Sequence, residues 1–207
     1  VRDFWHMIKD QSITTVAMVT AITEQQQIKS LQYWPTVVGG GLRYGSLTVM
    51  LRSMNQVQGS EHITKRMLSI ITEGEEPRQV AHFQLTNWPD GGVPANMNDF
   101  TTFIISAREA ARSAGGDGPL MIHGARGAGR SGACALFDLA LHSALDSGYV
   151  NLPKILHLLR RQRSGLVGSV EQFTYVYYAL AKLFAQRGKG GAAQQPPLAY
   201  CYGVLDR

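Results

Sequence analysis

Residues 119–132 read PLMIHGARGAGRSG. Arg126 and Arg130 stand there among Gly127, Gly129 and Gly132. An apolar run, Pro119 to Ile122, precedes them and fits a buried strand. A helix-compatible apolar stretch, Ala133 to Leu141, follows. A glycine-rich turn from strand to helix lets backbone N–H groups converge on one point, and the helix N-terminus adds a field that favours an anion. Arg130, at the start of the helix, can grip two phosphate oxygens with its planar fork. The chemistry is the binding of a phosphate dianion by Ala125, Arg126, Gly127, Ala128, Gly129, Arg130 and Ser131. It needs no cysteine. The same pattern also suits an ordinary strand-to-helix turn that uses glycine for tightness and arginine for solubility.

Further along and further back, the chain carries more than a loop. The spacing from His123 to Arg130, with Gly127, Gly129, Ser131 and Gly132, resembles the phosphate-binding loop of the protein tyrosine phosphatase family, His-Cys-x5-Arg. Gly124 stands where the family's nucleophilic cysteine would be. Residues 86–94, TNWPDGGVP, resemble the family's Trp-Pro-Asp lid, which makes Asp90 the general-acid position. Such an acid must close over a dry site to protonate the leaving phenol. Turn preferences alone would also favour Pro-Asp-Gly-Gly after a strand. Asp3, Phe4, Trp5, Met7 and Ile8 resemble the Asp-Phe-Trp-x-Met-Ile helix. KSLQYWP (29–35) resembles Lys-Cys-x-x-Tyr-Trp-Pro, with Ser30 in place of that cysteine. Trp5, Tyr33 and Trp34 are large bodies that would be buried in many folds.

The last match is RSGLVGSVEQFTYVYYAL (163–180), which resembles the family's Gln-Thr-x-x-Gln loop and the helix after it. Gly168 takes the first glutamine position, which in the family orients the hydrolytic water, and Gln172 takes the second. The resemblance thus implies two separate losses: the nucleophile at Gly124 and the water-positioning group at Gly168. Covalent catalysis splits one hard step into two, and each loss removes one half. Glycine has no side chain to replace a thiolate, Ser131 is committed by its place in the family loop, and Cys134 lies a turn into the helix. His123 reads as a hydrogen-bonding residue below the loop. Arg126, where the family has a small or acidic residue, reads either as extra attraction for an anion or as a solvated surface arginine.

These positions need a scaffold. The resemblance spans residues 1–186 and implies an α/β (α+β) fold with a highly twisted mixed sheet flanked by helices. It also implies an N-terminally incomplete domain, because the family's domain begins well before the Asp-Phe-Trp segment. Residues 187–207 include a stretch rich in Gly, Ala, Gln and Pro that reads as a linker or tail. Asp3–Asp10 patterns as a helix and Thr14–Thr20 as a β-branched central strand. Arg43–Arg52 and Ile63–Ile71 pattern as antiparallel strands. A polar turn at Glu73–Arg78 leads to a strand at Val80–Leu85. Asn96 is a candidate cap for a helix through Asp99–Ala114 that carries Phe100, Phe103, Ile104 and Ala107 on one face and ends at Gly115 and Gly116. Three more helices are expected at Ser131–Leu145, Leu152–Arg163 and Val170–Ala185.

The 207 residues are 44% hydrophobic and carry a net charge of +5, enough for one domain with a sizeable core. Arg160, Arg161 and Arg163 make a basic stretch suited to an acidic phosphopeptide or a membrane surface. Two cysteines, Cys134 and Cys201, make no disulfide framework and fit a reducing compartment. There is no uninterrupted apolar window of about 18 residues, no secretory pattern and no nucleic-acid motif. The resemblance therefore implies a cytoplasmic domain, or the intracellular part of a receptor, without metal or cofactor. Its partner would be a phosphotyrosine-containing or acidic protein, and any membrane contact would come through a host protein. Three functions stay open: a non-catalytic phosphotyrosine-binding or interaction module, an active or weakly active phosphatase, and a structural domain with a vestigial loop.

Overall fold

The computed structural model describes residues 1–115 and 119–188. Its contacts separate two compact units. The first contains residues 1–90 and 94–125; the second contains residues 91–93 and the chain from 126 onward.

The first unit is built on a six-stranded sheet. Its strands are β1 (Thr15–Met18), β4 (Gly41–Tyr44), β5 (Leu47–Gln56), β6 (Ile63–Thr72), β7 (Arg78–Leu85) and β8 (Leu120–His123). They lie in the order β4-β5-β6-β7-β1-β8. Neighbours from β4 to β7 are antiparallel, while β1 runs parallel to both β7 and β8, so the sheet is mixed. Thr15 faces Ala81 on one side and Leu120 on the other. A register shift between Leu51 and Ser53 marks an irregularity where β5 pairs with β6. A separate two-stranded ribbon joins β2 (Thr23–Glu24) to β3 (Gln27–Ile28) through left-handed Gln25 and Gln26.

The centre of this sheet is covered on both faces, and every residue of β1 is buried. Val16, Met18, Leu47, Val49, Leu51 and Leu68 form one core with Trp5 and Ile8 of α1 (Arg2–Asp10), together with Tyr33 and Trp34. The Trp5 indole donates to the Tyr33 carbonyl at 2.8 Å, which ties α1 to the KSLQYWP segment. Period-two alternation turns Thr15 and Ala17 to the opposite side. There α2 (Met97–Ser113) packs on β7, β1 and β8. Its stripe of Phe100, Phe103, Ile104 and Ala107 is buried as its spacing requires, and the Asn96 side chain caps it by accepting from the Asn98 amide.

The second unit holds α3 (Gly129–Ser147), α4 (Leu152–Gln162) and α5 (Val170–Gly188), with α3 packed on both others. Gly148 ends α3 in the left-handed region (φ 67°), and Asn151 caps α4 by accepting from the Lys154 amide at 2.9 Å.

The expected α/β architecture is present, with two local corrections, at β4–β5 and at β8. The strand expected at Arg43–Arg52 is a hairpin, because the chain reverses at Gly45 (φ 67°) between β4 and β5. Pro119–Ile122, expected as a buried strand, becomes β8, which is half-buried because only β1 flanks it. The tail expected from 187 begins inside α5, and residues 189–207, with Cys201, lie outside the described residues, as does Gly116. Among the described residues no helix is long and apolar enough to cross a membrane.

Candidate functional site

Contacts with the 163–167 segment constrain Gly127, in the loop before α3, and Gly132, in the first turn of that helix. Gly127 has φ 61°, a conformation that favours glycine. The Arg163 guanidinium lies 3.5 Å from where a Gly127 Cβ would stand, and it donates to the Arg126 carbonyl at 3.1 Å. Gly132 permits a closer approach still: a Cβ there would meet the Val167 amide nitrogen at 2.4 Å. The Ala128 carbonyl accepts from Gly132 at 2.8 Å and from Val167 at 3.4 Å, locking the loop's end against the 166–168 segment. Arg160 clamps that segment from below with bonds to the Leu166 and Val167 carbonyls, both at 2.9 Å. Val167 itself is a buried β-branched residue with φ 60°, a strained state held by these bonds.

Helix α3 starts on this loop. Its N-cap is Ala128, which offers no side-chain acceptor to the first-turn amides. Arg130 is only 6% exposed at that terminus. Ser131 is equally buried, and its hydroxyl has no hydrogen-bond partner. Buried polar atoms are nearly always satisfied. An orphan hydroxyl beside an uncapped helix start and a buried guanidinium is the donor arrangement an oxyanion would complete. Arg126 and Ala125 are exposed, whereas Gly124, Gly127 and Gly129 are half-buried.

The two glutamine-loop positions lie together in the second unit. The Gly168 amide donates to Gln172 Oε1 at 3.0 Å, and Gln172 Nε2 donates to the Gly92 carbonyl at 3.2 Å. The Gln172 amide also donates to Ser169 Oγ at 3.2 Å, so Ser169-x-x-Gln172 opens α5 as a variant of the capping box. Gln172 is 3% exposed and both ends of its amide are engaged. It therefore holds Gly92 and the start of α5. Cys134 is fully buried, and burial first, then Asp138, pushes its thiol well up against the opposing pull of Arg130. It is not a nucleophile in waiting.

In the first unit, Trp88 is buried and stacks edge-on against Phe100 with centroids 5.4 Å apart, anchoring the chain at Trp88 to α2. Asp90 is half-exposed and bonds Lys29 Nζ at 2.8 Å. In this arrangement the carboxylate is engaged by an ammonium, and acting as an acid would require leaving it.

His123 closes β8 and joins a buried relay. Tyr33 Oη lies 2.6 Å from His123 Nε2 and 2.8 Å from His82 Nε2, and His82 Nδ1 lies 3.4 Å from Arg66. Donor capacity fixes its direction. Arg66 can only donate, so His82 Nδ1 accepts and His82 Nε2–H points to Tyr33. The Tyr33 hydroxyl then donates to His123 Nε2, leaving His123 Nδ1–H for the Gly124 backbone, whose bond favours the charged imidazole. Burial outweighs that bond and takes His123 down to about 4; burial, then Arg66 and His123, takes His82 well below its usual value. Both rings are neutral and structural, as the reading of His123 expected.

The relay gives a pH prediction. Between pH 6.5 and about 4 the unfolded chain binds protons at these histidines that the folded chain refuses. Stability is therefore fully present above pH 6.5 and falls on acidification by about 1.4 kcal/mol per pH unit per histidine. Urea unfolding at pH 7, 6 and 5 should show a falling midpoint, and His123→Asn should flatten the slope. A midpoint constant over that range would refute the neutral relay.

Sequence reasoning missed Lys29, Arg163 as a support of the loop, and the Tyr33–His82 link. Among the described residues, no group of three His, Cys, Asp or Glu is arranged to hold a metal.

A family model described as protein-tyrosine phosphatase matches residues 1–182. The chain is 32% identical over 203 residues to tyrosine-protein phosphatase non-receptor type 13 of Mus musculus, covering 96% of this chain and 8% of that protein. It is 31% identical to the human type 9 protein over 205 residues, covering 93% of this chain and 34% of the relative. For human type 2 the figures are 33% over 178 residues, 86% and 42%. The chain thus spans well under half the length of these relatives. A solved structure described as the basis of the PTPN18 fingerprint on distinct HER2 tyrosine phosphorylation sites superposes with a TM-score of 0.81 at 25% identity, covering 88% of this chain and 63% of that one.

Proposed function

This chain belongs to the protein-tyrosine phosphatase family, and from that premise we propose that it is a non-catalytic member whose loop reads phosphotyrosine on a signalling partner in the cytoplasm. The observation that carries the reading is the start of α3, where Arg130 is buried beside the unpartnered Ser131 hydroxyl and the helix has no capping side chain. A vestigial loop would have no need to keep a buried donor unsatisfied. The family's reaction needs a nucleophile and an oriented water. Gly124 supplies no atom for the first, and Gly168 supplies no side chain for the second.

The relative described by HER2 tyrosine phosphorylation sites supports phosphotyrosine as the ligand class. The mode of binding is the family's own, with a dianion at a helix N-terminus and in an arginine fork. A buried free thiol at Cys134 suits a reducing compartment.

Titration of the full chain with a labelled phosphotyrosine peptide tests the reading. Binding should be saturable, lost on dephosphorylation of the peptide, and weakened by at least about ten-fold in Arg130→Ala, since a hydrogen bond to a charged group contributes about 1.5–3 kcal/mol. Equal binding by Arg130→Ala, or none at millimolar peptide, rules out phosphate reading and leaves the loop structural. Steady turnover of an aryl phosphate that disappears in Arg130→Met would instead restore catalysis.

A further inference from the structure

We propose that the outer edge of β4 is a docking site for an extended acidic segment of a partner protein, which adds to the sheet as a further strand. The site lies in the first unit and stands independently of the phosphate reading.

The backbone supplies the first support. β4 ends the strand order, with β5 on one side and no described strand on the other. The Gly39 amide donates to the Leu51 carbonyl at 2.8 Å, and the Leu51 amide to the Gly40 carbonyl at 3.0 Å. Antiparallel bonding alternates along a strand, so Leu42 and Tyr44 bond towards β5 in their turn. Gly41 and Arg43 therefore aim their N–H and C=O groups away from the sheet. Gly39, Gly40 and Gly41 put no side chain in the way of an incoming backbone.

Apolar surface is the second. Leu42 lies opposite Val49, a member of the core, and so belongs to the core face. It is nevertheless 40% exposed at the end of the sheet. Val37 and Val38, on the turn that leads into β4, are exposed as well. An added strand would continue the apolar layer over Leu42.

Charge decides the occupant. Residues 25–60, which contain β4 and β5, include Lys29, Arg43 and Arg52 and no Asp or Glu. Arg43 Nε donates to the Gly45 carbonyl at 3.0 Å, and the Arg2 guanidinium lies 3.1–3.5 Å from the Cβ position of Gly45. Two exposed cations are thus anchored on the turn that closes this edge. Among the described residues, no ion pair includes either of them. A second copy docked about a two-fold axis would set this cationic edge against itself, and like charges facing across strands destabilise. An acidic strand is complementary to it. Antiparallel addition continues the order β4-β5-β6-β7, with an apolar side chain opposite Leu42 and a carboxylate opposite Arg43.

The probe is a blocked octapeptide of alternating Glu and Val, with a Gln-Val octapeptide as its comparator. The full chain should bind the Glu peptide about five-fold more tightly at low salt, and the margin should shrink as ionic strength approaches about 0.15 M. Arg43→Ala should bring the ratio close to one, while Lys154→Ala, a surface cation of the second unit, should leave it unchanged. Main-chain geometry gives a sharper reading. The Glu residues stand opposite Arg43, so N-methylation of their amides should abolish binding, whereas N-methylation of the Val amides should not. Hydrogen exchange should show the Arg43 amide protected by the peptide. The peptide series and the exchange measurement use the native chain and need no variant.

Undiminished binding of the Glu-methylated peptide overturns strand addition. Equal affinity for the Glu and Gln peptides, or a ratio that falls as far in Lys154→Ala, overturns an acidic preference at this edge. No binding at millimolar peptide, with the Arg43 amide unprotected, overturns the site altogether. A dimer in sedimentation whose Arg43 amide is protected without peptide assigns the edge to a second copy and overturns the acidic partner.

Discussion

Gly124→Cys is expected to release about one equivalent of phenolate from a small aryl phosphate and then stall, whereas Gly124→Cys with Gly168→Gln is expected to turn over at least about 100-fold faster, within the range contributed by a positioned proton-transfer group. The two glycines sit on different halves of the family's reaction. A thiol at 124 restores attack on phosphorus, because loop amides, a helix N-terminus and an arginine are the environment that lowers a thiol's pKa. It does nothing for the water that must then cleave the thiophosphate. Gln172 does not take over that task, since its amide already holds the Gly168 N–H at 3.0 Å and the Gly92 carbonyl at 3.2 Å. A glutamine at 168 is structurally admissible. Its Cβ would stand 3.6 Å from Gln172 Oε1 and from the Gly129 Cα, an ordinary contact, and Gly168 is not among the residues with positive φ. Asp90 must also leave Lys29 before it can protonate the phenol, so burst amplitude should fall less steeply than burst rate. Stopped-flow release of nitrophenolate resolves burst from steady state. Full turnover by the single variant would show that water can be oriented without Gly168→Gln, and absence of a burst in both variants would show that the loop no longer supports attack.

What was legible in the sequence followed from local rules. The apolar spacing of Phe100, Phe103, Ile104 and Ala107 and the Asn96 cap fixed α2, because period and capping act within a few residues. The order of the four family motifs carried the fold and the candidate positions. The reversal at Gly45 shows in the sequence only as a change of phase, from Leu42 and Tyr44 to Leu47, Val49 and Leu51 across Gly45-Ser46, and an even apolar content over the whole stretch masks it; β8 is less buried than its composition suggests because composition reports how much a strand could bury, not how many neighbours it has. The bonding of the site was not legible at all. Tyr33 meets His82 and His123 across 49 and 90 residues, and Arg163 reaches Arg126 across 37. No periodicity encodes such pairs. Gln172 shows the same limit in a sharper form. The resemblance places it at a catalytic position, while its backbone N–H donates to Ser169 Oγ at the start of α5 and its side-chain amide is taken up by the Gly168 N–H and the Gly92 carbonyl.

Gly132→Ala should destabilise the chain by about 3 kcal/mol or more, at the upper end of the cost of overpacking. The added methyl would stand 2.4 Å from the Val167 nitrogen and 3.1 Å from Leu166 backbone atoms. Backbone cannot swing aside as a side-chain end can. Moving the 166–168 segment would break both Arg160 bonds and release Val167 from its left-handed conformation. Moving α3 would open the packing of Ala133, Leu136 and Phe137, all fully buried. Gly168→Ala meets no such obstacle. It should be neutral or stabilising by up to about 1 kcal/mol through the unfolded chain's lost freedom. Urea unfolding of the two variants side by side checks both, and a Gly168→Ala loss comparable to that of Gly132→Ala would defeat the distinction. The contrast bears on function. Gly132 is demanded by a close backbone approach, so its presence says only that the loop is folded. Gly168 is demanded by neither space nor backbone angle. A glycine that the architecture does not require stands at the position the resemblance gives to the family's water-orienting glutamine, which is the pattern expected of the non-catalytic member proposed above.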